Sequence, residues 1–187
     1  MRSARPRLNC VSYDGASLLA QENGDLLIRQ LCDLTRLNMN AIIPSGASEQ
    51  EDNRQWRSAF EDNARRGTRY IIAMRDERML GYIAYTARAP SDDIYWNEFQ
   101  VHPAHQRHGW TFRELLLQFA SELRERKETF VRTYANQRNV RSQALLEKLG
   151  FQVESSCERG LRYHIRKEAL LAQLNRRLQR GKQARAT

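Results

Sequence analysis

The sequence predicts an α/β protein: a central mixed β-sheet flanked by helices on both faces, closed by an extra C-terminal helix. Three observations carry this. Strand-like and helix-like segments alternate through the second half of the chain, two β-rich runs in the first half are joined by a tight polar turn, and each long helical segment has one apolar face. The 187 residues suit one domain of ordinary size, and 41% hydrophobic with 9% aromatic content supplies its core. The expected organisation is a single domain over residues 1–187, with a core of about 8–166, a C-terminal helix over 167–180 and a basic tail over 181–187.

Leu8–Tyr13 has room for one strand. From Asp25 the apolar residues Leu27, Leu31, Leu34 and Ala41 recur at helical spacing, on a helix that must stop before Pro44. Ser48-Glu49-Gln50-Glu51 is a capping box, in which serine and glutamate satisfy each other's backbone N–H groups. It opens a second helix with Trp56, Ala59 and Phe60 on the buried face. Tyr70–Met74 and Met79–Ala87 read as strands around Asp76-Glu77-Arg78, and Ile94–Val101 as another ended by Pro103. The next helix carries Phe112, Leu115, Leu116, Phe119 and Leu123 as its stripe. Thr129–Tyr134 is a strand, and Asn139–Leu149 a helix stopped by Gly150. Phe151–Ser156 and Leu161–Arg166 form a last pair of strands, followed by a helix bearing Leu171, Leu174 and Leu178.

The net charge of +9 belongs to the two ends: Arg2, Arg5 and Arg7 at one, and Arg166, Lys167, Arg176, Arg177, Arg180, Lys182 and Arg185 at the other. Between them acids and bases balance. Such arms either stay solvated or bind phosphate-rich partners such as nucleic acid through counterion release. No uncharged apolar run approaches the ~20 residues of a membrane span, and no apolar segment follows the basic N-terminus. A cytoplasmic location with no membrane partner is therefore expected. The three cysteines Cys10, Cys32 and Cys157 lie far apart with no CxxC spacing, which argues against a disulfide framework or structural zinc site. Cys157 reads as a small strand hydrophobe. His102, His105 and His108 fall in a loop without cysteine or acidic partners, so they read as solvated and no metal is expected.

The stretch Val101-His102-Pro103-Ala104-His105-Gln106-Arg107-His108-Gly109-Trp110-Thr111 joins a strand to a helix. Glycine at such a junction allows close approach, and the free N–H groups of the first helical turn point at whatever anion sits there. A pyrophosphate meets that demand, and Arg107 adds a charge-assisted contact. A purely structural turn would look similar. Downstream lies Asn139-Val140-Arg141-Ser142, ending in Leu149-Gly150-Phe151.

Together these two segments resemble the GNAT superfamily of N-acetyltransferases. In that family a Q/R-x-x-G-x-G/A loop follows a V-x-P strand end, and an N-x-x-(A/S)…LGF helix–strand unit comes later. The resemblance covers about Arg69 to Arg166. It implies acetyl-CoA as co-substrate: the backbone of Phe99, Gln100 and Val101 would pair with the pantetheine arm. The amides of Arg107, His108, Gly109, Trp110, Thr111 and Phe112 would hold the pyrophosphate, and Asn139 would contact the cofactor near the thioester. Asparagine at 139 is also a good helix N-cap. Homodimers are common in the family. Two departures stand out. Thr111 replaces the family's small residue, and Leu146 stands where many members carry the tyrosine that protonates the departing CoA thiolate.

Acetyl transfer to an amine requires a base, and Glu98 is the candidate, directly or through a water, with backbone amides as oxyanion donors. Pairing of Glu98 with an arginine is the plainer alternative. Strand alternation places Trp96, Glu98 and Gln100 on one face and Phe99 and Val101 on the other. The leading expectation is an acetyl-CoA-dependent N-acetyltransferase acting on a primary amine, a small molecule in preference to a macromolecule. The other is a catalytically weak module that binds CoA or, through its basic termini, nucleic acid.

Overall fold

β1 (Asn9–Asp14) ends where the Asp14 carboxylate accepts the Ser17 N–H at 2.8 Å. That cap starts a short helix, α1 (Gly15–Leu19), absent from the sequence expectation. Its glycine lies against the Ala64 main chain, leaving no apolar periodicity to read. The computed structural model describes residues 8–88, 91–106 and 109–183, with the side chains of residues 88 and 177–183 outside that description. The elements that follow are α2 (Gly24–Asn40), α3 (Glu49–Arg65), β2 (Arg69–Arg75), β3 (Arg78–Arg88), β4 (Asp93–Val101), α4 (Pro103–Gln106) and α5 (Trp110–Arg124). Then come β5 (Phe130–Asn136), α6 (Val140–Lys148), β6 (Gln152–Cys157), β7 (Gly160–Arg166) and α7 (Lys167–Gln183).

Among the described residues seven strands form a mixed sheet in the order β1-β2-β3-β4-β5-β7-β6. β1 pairs antiparallel with β2 from Asn9↔Met74 to Asp14↔Arg69. β2 and β3 are joined through Asp76 and Glu77, both left-handed with φ of 47° and 64°, the backbone of a tight hairpin turn. β4 runs parallel to β5, the pairing extending from Asp93↔Phe130 to Trp96↔Thr133. At that last rung the Thr133 hydroxyl donates to the Trp96 carbonyl at 2.8 Å. β7 lies between β5 and β6, antiparallel to both.

The chain clusters into two compact units, and β3 and β4 each contribute to both. One holds the chain up to Ala84 with Glu98–Leu115; the other holds Tyr85–Asn97 with the chain from Leu116. In the first, Leu18, Leu27, Ile28, Leu31, Phe60, Tyr70 and Tyr82 form the core. The Phe60 ring lies 6.2 Å from Tyr70 and 6.0 Å from Tyr82. In the second, Trp96 packs on Phe119 at 5.0 Å and on Phe151 at 6.1 Å, with Leu123, Val131 and Leu174 buried.

Ser48 caps α3 as its sequence predicts, accepting from the Glu51 N–H at 3.2 Å. Several expectations change. Ala41 and Ala59 are exposed, because the buried stripes of α2 and α3 continue through Thr35 and through Asp52 and Ala64. Cys157 is exposed on β6, all of whose residues are exposed, so it is not a packed hydrophobe. α7 continues to Gln183, past the expected boundary at 180, and residues 184–187 of the expected tail lie outside the described residues. The same holds for Arg2, Arg5 and Arg7.

Candidate active site

Every group at this strand end belongs to the first unit. β4 finishes at Val101, and the His102 N–H donates back to the Leu80 carbonyl of β3 at 2.8 Å. Because strand neighbours alternate sides, the polar groups of Val101 point away from β3. The Val101 carbonyl accepts two side-chain amides, Gln106 Nε2 at 2.9 Å and Asn38 Nδ2 at 3.2 Å. Both lone pairs of that oxygen are therefore used within the protein.

Gly109 precedes α5 with φ +61°, a left-handed conformation that disfavours a side chain. Its carbonyl accepts the Arg113 N–H at 3.0 Å, which starts the helical ladder. A Cβ built at Gly109 would meet nothing within 4 Å, so the approach to the first-turn amides of α5 is open. Trp110 lies under the Arg75 guanidinium at 5.2 Å, and Phe112 stacks on Phe99 at 4.9 Å. Thr111 is buried, 1% exposed, and its methyl sits beside Gly81 of β3. Its branched side chain therefore occupies the sheet side of α5 and does not crowd the loop. Arg107 and His108 lie outside the described residues.

Glu98 is half-buried on β4, and Gln100 Nε2 donates to its Oε2 at 2.8 Å. Burial pushes the Glu98 carboxyl above the ordinary carboxylate range, while the Gln100 hydrogen bond pulls it back. The phenols of Tyr70 and Tyr82 are pushed up by burial and, secondarily, by the Glu98 charge, which places both within reach of its field. Tyr82 bonds to the Thr35 hydroxyl, whose own hydrogen goes to the Leu31 carbonyl at 2.8 Å. Tyr82 is thus the donor to Thr35, and its single proton is spent there.

Leu31, Thr35 and Asn38 follow one another at helical spacing on α2, so that helix touches the strand end with polar residues where its apolar stripe stops. Sequence reasoning missed Thr35 and Asn38; two polar residues extending an apolar stripe were the available signal. The connector after α2 is held by Asp52, 3% exposed, which accepts from Asn40 at 3.1 Å and Ser45 at 2.9 Å.

Trp96 belongs to the second unit, where it packs on Phe119. In the second unit, Asn139 caps α6, accepting from the Ser142 N–H at 3.1 Å. Leu146 is buried at 7% exposure, and the fully buried Tyr163 hydroxyl has no hydrogen-bond partner among the described residues.

His102 and His105 are both half-buried and not fully solvated as expected, their rings 5.8 Å apart, beside a cavity of about 310 Å³ lined by Leu34, Met79 and Leu80. Among the described residues no three His, Cys, Asp or Glu side chains are grouped to hold a metal, and no helix is long and apolar enough to cross a membrane.

A glycine-opened helix N-terminus and a carboxyl pushed up by burial thus lie at the end of one strand. Residues 30–151 match the model of the acetyltransferase (GNAT) family, and the chain belongs to that family. No curated protein matches it. Among solved structures it resembles the PaiA N-acetyltransferase of Thermoplasma acidophilum in complex with coenzyme A, at 14% identity and a TM-score of 0.65, over 86% of this chain and 99% of that one. An acetyltransferase from Streptococcus agalactiae is similar at 20% identity and a TM-score of 0.60, over 84% and 96% of the two chains. One from Thermus thermophilus is similar at 17% identity and a TM-score of 0.60, over 85% and 96%. These likenesses show the fold: a mixed sheet with helices, as the sequence predicts.

Proposed function

We propose that this chain transfers an acetyl group from acetyl-CoA to a primary amine by direct attack, with Glu98 as the proton acceptor. The observation that carries the reading is the first-turn amides of α5, opened by Gly109, at the end of the strand that holds Glu98. The pyrophosphate would sit on the amides of residues 107–112. The pantetheine arm would run along Phe99–Val101, with the Val101 N–H available to a carbonyl oxygen.

In the reaction the ammonium first loses a proton to Glu98, directly or through a water. A carboxylate lifted by burial accepts that proton better than an exposed one. The nitrogen lone pair then forms a bond to the thioester carbon while the C=O π pair moves to oxygen, where a strand N–H stabilises it. The new amide nitrogen gives up its surplus proton to solvent as collapse breaks the C–S bond and releases the CoA thiolate. Its basicity resembles that of a cysteine, about 8.5, so solvent is an adequate proton source. That matters because Leu146 cannot donate a proton. Asn139 keeps its family role near the thioester as part of the reading, alongside its observed cap.

Leu146 also favours a second reading, a CoA-binding module without turnover. Calorimetric titration with acetyl-CoA and desulfo-CoA, beside Arg107→Glu, tests the site; thiol release over a panel of primary amines tests the reaction. Micromolar binding lost in Arg107→Glu, with thiol release abolished in Glu98→Gln at unchanged CoA affinity, is expected. Binding without thiol release for any amine would favour the second reading, and no binding at low salt would overturn both.

A further inference from the structure

The hydrogen bonds around Glu98 have a fixed direction, and a main-chain carbonyl sets it. The Val101 carbonyl can only accept, so the group of Asn38 that faces it, 3.2 Å away, must be the amino group Nδ2. The same Nδ2 lies 2.8 Å from the Gln100 carboxamide, which therefore presents Oε1 to Asn38. Gln100 has then only its amino group to turn the other way, and Nε2 meets Glu98 Oε2 at 2.8 Å. Gln100 is 8% exposed, so water does not compete freely for either end. Reversing either amide would set two acceptors or two donors against each other.

We propose that Asn38 is a positioning residue for the Glu98 base, acting through Gln100 to hold an N–H donor on the carboxylate. Its catalytic meaning rests on the reading of Glu98 given above. The helix that supplies Asn38 also leads into the α2–α3 connector anchored by Asp52. Among the described residues the Glu98 charge acts on the phenols of Tyr70 on β2 and Tyr82 on β3, and the Cys32 thiol of α2 acts on both phenols. All three are pushed up and stay protonated through neutral pH. They do not titrate in the window of the carboxylate.

The test reads Glu98 itself and needs no acceptor. In the full chain labelled with carbon-13, the Glu98 carboxyl resonance is assigned by its loss in Glu98→Gln, then titrated in wild type, Asn38→Leu, Gln100→Leu and the double variant. Losing a donor to a carboxylate raises its midpoint, and Gln100→Leu should move it up by about one pH unit. Asn38→Leu should move it in the same direction, and the double variant no further than Gln100→Leu alone. A midpoint in Asn38→Leu equal to wild type, or additive shifts in the double variant, would overturn the relay. Should Asn38→Leu fail to fold, Asn38→Ser carries the same comparison, with thermal unfolding as the check. Retained thiol release in Glu98→Gln would instead sink the base assignment, whichever way the titration fell.

Discussion

Gly81 of β3 lies against both β4 and α5 in the first unit. A Cβ there would lie 2.6 Å from the Gln100 carbonyl oxygen, 3.1 Å from Leu115 Cδ1 and 3.3 Å from Thr111 Cγ2. The leucine tip can rotate away. A main-chain carbonyl within a sheet cannot, so Gly81→Ala must displace the strand that carries Gln100 and Glu98. Overpacking of this kind costs about 1–3 kcal/mol. At roughly 2–4 °C per kcal/mol for a chain of this length, a cost of ~2 kcal/mol lowers Tm by about 4–8 °C. Gly109→Ala is the contrasting case: it has a positive φ of 61° and nothing within 4 Å. Only backbone strain of about 1–2 kcal/mol is expected there. Urea unfolding of both variants, with CoA affinity measured alongside, gives the comparison. Gly81→Ala should lose stability through the displaced strand, and Gly109→Ala should lose CoA affinity beyond its modest stability cost. A Gly81→Ala protein that unfolds at the wild-type midpoint would refute the close-approach argument.

Three further outcomes are expected. Glu98→Gln should stabilise the fold at neutral pH: folding raises the affinity of this carboxyl for its proton, so its ionisation opposes folding. The gain over wild type should be nil below the ordinary value of 4.5 and grow as pH rises through the folded value. A pH-independent difference between the two unfolding curves would contradict that. Asn139→Ala removes the acceptor for the Ser142 N–H and should cost about 1 kcal/mol by urea unfolding; unchanged CoA affinity in the same variant would leave Asn139 a cap and nothing more. The three thiols should label in order. Exposed Cys157 should react on mixing. Half-buried Cys10, raised by burial and Glu114 to about 11, should lag, and Cys32, raised mainly by burial to about 12, should wait for unfolding. Mass spectrometry of a timed alkylation reads the order directly, and early labelling of Cys32 would mean that α2 opens readily.

Much of the fold was legible because its determinants are local. The serine cap at Ser48, the tight polar turn at Asp76-Glu77, the cap at Asn139 and the stop at Gly150 each act within a few residues, and each appears where its sequence puts it, although the Glu51 carboxylate turns to Gln55 and Arg54 and leaves the box half made. The two short helices were not legible. α1 and α4 hold 5 and 4 residues, too few to display a helical period. The glycine-opened turn before α5 was readable for the same local reason, since left-handed backbone asks for glycine whatever surrounds it.

The alternation of strands and helices and the family likeness can be read from the chain alone. So can the types of residue at the strand end: a carboxylate, an amide two residues on, and a glycine before a helix. What those residues do for one another is settled by tertiary contact. Asn38 and Val101 are 63 positions apart, Thr35 and Tyr82 are 47, and no periodicity links them. The side of α5 that Thr111 takes follows from Gly81 having no side chain, and Trp96 is buried against Phe119 and Phe151. Local propensities fix which elements form. Burial and the need to satisfy each polar group, which depend on what lies across the chain, fix which side chains end up holding the Glu98 carboxylate.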